Sequence, residues 1–263
     1  MAERLAALQP FDVLLLGEQH DAPAHQELER EAVQTLAARG QLAAVALEML
    51  PSGATTVAVP AHASQAQVQA AVQWNEAGWP WATYGPVVMA AVRAGIPVLG
   101  ANLQKAEMQA VMRNNMLDGA LPGPALKAQQ QAIRLGHCGM LPESQVQPMT
   151  RVQIARDQRM AQVLSELAQR ASPGQAVLLI AGAGHVDLSL GVPQHLPVHL
   201  KVKVAVALAD TAQAAIDFAA NEATHKPAAD ALWATAARPA KDYCAGFKAP
   251  NPKPALLPTP SSQ

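Results

Sequence analysis

The chain has 263 residues, of which 50% are hydrophobic and 15% are charged, and its formal net charge is −1. This length and apolar content suffice for one α/β domain with a sizeable core. The near-neutral charge excludes the basic footprint that nucleic-acid-binding domains carry, so we expect no DNA or RNA partner.

Apolar runs alternate with helical patterns along the chain. Strands are predicted at 11–16, 43–47, 97–102, 176–181 and 201–208, with an edge strand at 231–236. Helices are predicted at 24–38, 65–76, 86–94, 104–117, 124–135 and 148–171. This alternation predicts a single α/β domain, with a mostly parallel central sheet flanked by helices. We expect the domain to span 1–247, and a Pro-rich tail at 248–263 to be disordered.

Two Gly-x-x-His tetrads each follow an apolar run. Gly17–His20 comes directly after the first predicted strand, and Gly182–His185 comes directly after the strand at 176–181. Central parallel strands are apolar throughout, and the polar residues at their carboxyl ends line the edge where open α/β folds bind ligands. We therefore expect His20 and His185 to face one crevice, although they are distant in sequence.

Further polar residues stand at the ends of predicted strands. Glu18 lies inside the first tetrad, Glu48 follows the second strand, and Asn102 ends the third. Two carboxylates and two imidazoles at one edge suit a divalent ion such as Zn²⁺ or Mn²⁺, or a general acid and base. The simpler alternative is that each glutamate pairs with a neighbouring cation or a helix N-terminus. The predicted metal set is Glu18, His20, Glu48 and His185.

Arg156 is predicted to lie on the apolar face of the helix at 148–171. It shares an i, i+4, i+8 stripe with Val152 and Met160, so its charge needs either a partner or a route to solvent. We expect a carboxylate of the crevice to be that partner, with extension of the side chain to solvent as the alternative.

The two cysteines, Cys138 and Cys244, exclude a disulfide framework and a multi-cysteine zinc site. They form either one disulfide, in an oxidising compartment, or two free thiols. His137-Cys138 suggests metal ligands or a nucleophile with its base, but a capping loop explains the pair more simply. No apolar stretch predicts a transmembrane helix, and the N-terminus shows no signal-peptide core, so the protein is either cytosolic or has lost a secretion signal.

Several motifs, in order, resemble those of the ChaN-type proteins of the haem-binding uptake and Tiki superfamily. They are Gly17-Glu18-Gln19-His20-Asp21 with His25, Glu48-Met49, His137–Pro142, Arg156-Asp157 with Met160-Ala161, Gly182–Val186 and Asp242-Tyr243-Cys244. The resemblance runs from about Phe11 to Phe247. It implies a parallel α/β fold and a haem-binding protein of iron acquisition, with haem held between the two monomers of a homodimer. It also implies a periplasmic or outer-membrane location, through a lipid anchor that this sequence does not show.

The resemblance further implies that a tyrosine coordinates the haem iron while other side chains bind the propionates. Tyr84, one of two tyrosines, stands beside Trp79, Trp81 and an apolar segment suited to cover a porphyrin, so we expect it to be the axial ligand. A packed tyrosine with a satisfied hydroxyl is the alternative. His137 completes the predicted cofactor-binding pair.

Tiki-like and erythromycin-esterase-like members of the superfamily imply a different function, because they hydrolyse peptide or ester bonds. By that resemblance the chain would carry a metal-dependent hydrolase site in which the metal activates water and Arg156 orients a carboxylate. The residues of this predicted catalytic set are Glu18, His20, Glu48, Arg156 and His185.

Overall fold

The sheet of this α/β domain has six strands, and every pair of neighbouring strands is parallel. The strands are β1 (Val13–Glu18), β2 (Leu42–Pro51), β3 (Val98–Asn102), β4 (Ala176–Gly182), β5 (Val202–Ala209) and β6 (Ala231–Thr235). Their order across the sheet is β3-β2-β4-β1-β5-β6, so the predicted parallel fold and the edge position of β6 are confirmed. The computed structural model describes residues 1–209, 228–239 and 241–245, and the predicted tail at 248–263 lies outside them.

Helices connect the strands and cover the sheet. They are α1 (Ala2–Leu8), α2 (Pro23–Ala38), α3 (Gln65–Val72), α4 (Trp81–Arg93), α5 (Met108–Arg113), α6 (Gly123–Gly136), α7 (Glu143–Arg170) and α8 (Ala183–Val186). Short 3-10 turns occupy Lys105–Glu107, Asn115–Gly119 and Val192–His195. Within the described residues, no helix is long and apolar enough to cross a bilayer.

Four helical elements differ from the sequence prediction. The helix predicted at 104–117 is interrupted, because Asn114 leaves the helical conformation and its side chain accepts a hydrogen bond from the Met116 N–H. Helix α4 begins at Trp81, five residues before its predicted start, so Tyr84 lies on a helix rather than in a turn. Helix α7 begins at Glu143 and continues through Pro148, whereas α1 was not predicted at all.

Alternate residues of the central strands build two apolar layers, one on each face of the sheet. Leu14, Leu16 and Leu178 pack with the buried faces of α2 and α4, while Leu15 and Leu179 pack against α7. Because β1 and β4 are buried on both faces along their whole length, polar groups occur only where these strands end.

The sheet register places the two tetrads side by side. Glu18 pairs with Gly182 across neighbouring strands β1 and β4, and both strands end there. At Gly17 a Cβ atom would lie 2.5 Å from the Val186 side chain, so only glycine lets α8 pack against β1. The carboxyl ends of β1 and β4 are thereby held in contact.

Outside the core, a disulfide joins Cys138, which follows α6, to Cys244, which follows β6. Of the two alternatives open in the sequence, the structure therefore has the disulfide, and it links residues 106 positions apart. Neither cysteine belongs to the buried apolar clusters, so the bond fastens two surface segments and leaves the sheet to apolar packing.

The close approach of β3 to the end of β2 gives a test of this packing. A Cβ atom at Gly100 would lie 1.9 Å from the main-chain oxygen of Pro51, which cannot move without disturbing both strands. We expect Gly100→Ala to lower the free energy of unfolding by about 1–3 kcal/mol in urea denaturation. Gly119→Ala is the matched control, because nothing lies within 4 Å of the added atom, and it should stay within about 0.5 kcal/mol of wild type.

Candidate functional site

Glu48 is the centre of a polar cluster at the carboxyl edge of β1, β2 and β4. One of its oxygens accepts a hydrogen bond of 2.7 Å from the Gly182 N–H and lies 3.9 Å from His20 Nε2. The other oxygen lies 3.3 Å from His185 Nε2. The structure thus brings His20 and His185 to one buried carboxylate, as expected from the two tetrads.

The His20 side of the cluster contains a second carboxylate. Glu18 Oε1 lies 2.7 Å from His20 Nδ1 and accepts a hydrogen bond of the same length from the Tyr84 hydroxyl. The other Glu18 oxygen accepts a hydrogen bond from the Gln26 amide of α2. Glu18 therefore fixes the orientation of the His20 ring and satisfies the phenol of Tyr84.

The His185 side is completed by helix α7. His185 Nδ1 lies 2.5 Å from Asp157 Oδ1, and the Gln153 amide lies 3.0 Å from the same nitrogen. Gln153 and Asp157 are four residues apart on the helix, so both side chains project from the face that meets the sheet. Both His185 nitrogens therefore face a carboxylate.

The charges of Glu48 and His185 stabilise each other in the interior. Burial would raise the pKa of Glu48, but the charge and hydrogen bond of His185, the charge of His20 and the Gly182 N–H lower it to about 2. Burial would lower the pKa of His185, but the charges of Glu48 and Asp157 raise it to about 10. Burial raises the pKa of Asp157 to about 6 against the opposing effect of His185. At neutral pH all three groups are charged.

The pKa values of Glu18, His20 and Glu29 are also shifted by burial and by neighbouring charges. Burial would raise the pKa of Glu18, but the hydrogen bond and charge of His20 lower it. Burial would lower the pKa of His20, but its hydrogen bond to Glu18 and the charge of Glu48 raise it. Burial and the charge of Glu18 hold the pKa of Glu29 well above its ordinary value. Both Glu29 oxygens are buried without a hydrogen-bond partner, which disfavours the charged form of this carboxyl in the same direction.

His20 is the member of this cluster that is most exposed to solvent. Its side chain is 40% exposed, whereas those of Glu18, Glu48 and His185 are 8% exposed or less. The Trp79 ring stands edge-on to the imidazole with 4.9 Å between ring centroids. A solute that reaches the cluster therefore meets His20 first.

The predicted metal set does not have the arrangement of a metal site. Among the described residues, no three His, Cys, Asp or Glu side chains are grouped so that they could hold an ion. The donor atoms face one another instead of a common point: Glu18 faces His20, Glu48 faces both imidazoles, and His185 lies between Glu48 and Asp157. In this arrangement the residues form an ion-pair network.

The structure changes the expected role of Arg156 and shows how Asn102 contributes to the site. Arg156 is half-buried, yet its expected ion pair with a crevice carboxylate does not form among the described residues, and its Nε is buried without a partner. The helical face that meets His185 passes through Asp157 instead. Asn102 contributes indirectly, because its amide donates a 2.9 Å hydrogen bond to the main-chain oxygen of Glu48.

Tyr84 and His137, the predicted haem contacts, lie in different places. Tyr84 is 1% exposed, and burial and the charge of Glu18 raise the pKa of its hydroxyl. His137 is half-buried at the end of α6, with Nδ1 2.8 Å from the Ile133 carbonyl. The two side chains do not share a site: one belongs to the interior cluster and the other to the surface beside the disulfide.

The residues after β6 form a second polar group around Asp21, next to His20. Asp21 accepts a 2.8 Å hydrogen bond from the Tyr243 hydroxyl and lies 3.4–3.5 Å from the cationic groups of Lys241 and Arg238. Arg238 also donates to the Tyr243 oxygen at 2.5 Å. Tyr243 is 51% exposed, so its phenol is presented at the surface between two cations.

Asp157, Gln153 and Glu29 were not predicted as site residues. The sequence signal for Gln153 and Asp157 was weak. They are polar residues four positions apart on a helix whose neighbouring residues Ile154, Met160 and Ala161 are buried. Selecting Asp157 instead of Arg156 required the rotation of α7 relative to the sheet, which sequence spacing alone does not provide.

The raised pKa of His185 predicts a pH dependence of stability. A base whose pKa rises on folding contributes stability that is complete below its ordinary value of 6.5 and is lost as pH rises through about 10. Between these values we expect the free energy of unfolding of wild type to fall by up to about 5 kcal/mol more than that of His185→Gln, since one pKa unit corresponds to about 1.4 kcal/mol. Urea denaturation of both proteins across this range measures the difference, and parallel curves would contradict the charge assignment.

Comparison with known proteins gives a consistent fold. The chain is similar to the solved structure titled "Cofacial heme binding to ChaN of Campylobacter jejuni", with 24% identity and a TM-score of 0.63 over 80% of this chain and 86% of the other. It is also similar to an erythromycin esterase, EreC, at 15% identity and TM-score 0.46 over 78% and 72% of the two chains. No curated protein sequence matches significantly.

The sequence itself identifies the family. The profile described as "Haem-binding uptake, Tiki superfamily, ChaN" matches residues 4–196, which is most of the chain and includes both tetrads, Glu48 and Asp157. The chain therefore belongs to the ChaN family of haem-binding uptake proteins in the Tiki superfamily.

Proposed function

We propose that this protein binds haem at its surface, with Tyr243 as the ligand of the ferric iron. Membership of a haem-binding uptake family supports the ligand, and the exposed phenol of Tyr243 is the observation that carries the assignment. A tyrosine oxygen is an established haem ligand. Both phenol oxygens are hydrogen-bonded, Tyr84 to Glu18 and Tyr243 to Asp21 and Arg238, and burial separates them. Coordination at Tyr84 would require opening the interior cluster, whereas the contacts of Tyr243 lie at the surface.

The surroundings of Tyr243 fit the chemistry of haem. Leu135 and Met140, both exposed, and half-buried His137 lie within three residues of Cys138, and the disulfide ties this segment to Cys244, the residue after Tyr243. We call Leu135, His137, Met140 and Tyr243 the disulfide face. Leu135 and Met140 offer apolar contact to a macrocycle, and Arg238 and Lys241 offer cations to the propionates. When bound, haem would supply the iron that the uptake role requires.

The disulfide supports a cellular location outside the cytoplasm. Disulfides persist in oxidising compartments, so we place the protein outside the cytoplasm, in agreement with the periplasmic prediction. A homodimer remains part of the proposal, because Leu135 and Met140 are exposed apolar groups that a second copy and a shared haem would cover. Attachment to the outer membrane through a lipid anchor stays a prediction.

Since the chain contains only two tyrosines, a pair of variants separates the candidates. We expect Tyr243→Phe to weaken haemin binding at least tenfold and to change the charge-transfer bands of the ferric spectrum. Tyr84→Phe serves as the matched control and should bind haemin like wild type. The measurement is absorbance titration of each purified protein with haemin.

Each result of this titration has a defined meaning. A loss confined to Tyr84→Phe would return the ligand to the interior cluster. Unchanged spectra in both variants would exclude tyrosine ligation, and the absence of any Soret shift with wild type would contradict haem binding itself.

We propose hydrolysis of an ester or peptide bond as a second candidate function, located at His20. The supporting observation is a partly exposed imidazole whose Nδ1 lies 2.7 Å from Glu18 Oε1 and 3.3 Å from the Tyr84 hydroxyl, so its orientation is fixed. In its neutral form His20 would accept a proton from water, and Glu48 and His185 would supply fixed charge nearby.

Activity on ester and peptide panels tests this second function. The neutral form of His20 is the base and its pKa is raised, so we expect the rate to increase with pH through a value above 6.5. His20→Gln should reduce kcat/KM by about 10²–10⁴-fold. His62→Gln, at an exposed site outside the cluster, is the control and should leave the rate unchanged. No hydrolysis by wild type on any member of the panels would contradict the proposal.

A further inference from the structure

We propose that the Cys138–Cys244 bond is a redox clasp for the disulfide face. While the bond is intact, Cys244 and the adjoining Tyr243 are tied to Cys138 at the end of α6; reduction by a dithiol releases Tyr243 and weakens haem binding. The inference rests on the proposed haem function, and it adds a means of regulating that site.

The first support is the accessibility of the bond. Cys244 is exposed and Cys138 is half-buried, so a dithiol can reach a sulfur atom without unfolding of the sheet. Exposed disulfides are the labile and regulatory kind, because access limits thiol–disulfide exchange. In the exchange, the S–S bond breaks, two electrons and two protons pass from the dithiol to Cys138 and Cys244, and the reductant leaves as its own disulfide.

The second support is that the other described contacts of Tyr243 are non-covalent polar contacts at the surface. Strand β6 ends at Thr235, and the described residues beyond it meet the body of the protein mainly through Arg238, Lys241 and Tyr243 at Asp21. Lys241 is 60% exposed, so its ion pair is weak. The covalent bond is therefore the strong restraint on the position of Tyr243.

The third support is that reduction need not disturb the fold. Both cysteines lie outside the buried apolar clusters, and the six strands pair without them. Reduced protein should keep its sheet while the segment at 241–245 becomes free to move away from α6. The expected change is local, and it falls on the proposed iron ligand.

The test compares haemin binding by oxidised wild type with binding by Cys138→Ser/Cys244→Ser, which has no thiol that could itself bind iron. We expect at least tenfold weaker binding by the double variant, measured by Soret absorbance without reductant in the cuvette. Wild type that is reduced and then desalted under anaerobic conditions should behave like the double variant, and reoxidation should restore its affinity. Far-UV circular dichroism checks that each protein is folded, and the reduced wild type serves if the variant is not.

A haem-free readout accompanies the titration. Hydrogen exchange of the amides at 241–245 should be faster in the reduced protein, with the amides of β1 and β4 unchanged. Equal exchange at 241–245 in both redox states would overturn the clasp, as would equal haemin affinity of the oxidised and reduced proteins while haem binding itself stands. Failure of oxidised wild type to bind haemin would overturn the proposed function and the clasp together.

Discussion

The buried carboxylate of Glu48 requires two histidines around it, and this requirement organises the carboxyl edge of the sheet. A lone carboxylate in this interior would be very costly, so its charge is matched by His185, His20 and the Gly182 N–H. Those partners come from β4, which pairs directly with β2, and from β1, the strand on the far side of β4. His185 in turn needs Asp157 of α7, so the charge pairing extends from the sheet into its covering helix. Loss of any one member leaves a partner charged and unpaired.

The close geometry of this network also explains several small residues. At Gly182 a Cβ atom would stand 2.9 Å from His20 Nε2, and at Gly191 it would stand 2.1 Å from the His185 main-chain oxygen. Side chains at these positions would push the imidazoles away from Glu48. Gly182 of the second tetrad and Gly191 beyond it therefore allow the distances on which the charge pairing depends.

Local patterns predicted the strands, most helices and the meeting of the two tetrads, since the apolar runs of β1 and β4 end in polar groups. How elements distant in sequence pack on one another was harder to predict from the sequence. The choice between Arg156 and Asp157 is a difference of one residue, about 100° around a helix, and depends on how α7 packs on the sheet. The same limit applies to Tyr84 and Tyr243. Tyr84 is buried because α4 packs on the sheet, whereas Tyr243 is exposed in a segment that the disulfide fastens. This difference decides whether each phenol can meet a surface ligand.

The loop after β1 connects the interior network to the surface group. His20 contacts Glu18 and Glu48 within the cluster, while its neighbour Asp21 binds Tyr243, Lys241 and Arg238. Gln19 contributes to both, because its N–H donates to buried His25 and its side chain accepts from Arg238. Movement of Tyr243 away from Asp21 would remove a hydrogen-bond donor from that carboxylate. The loop after β1 is therefore the structural link between the disulfide face and the interior network, because three consecutive residues, 19–21, contact one or both of them.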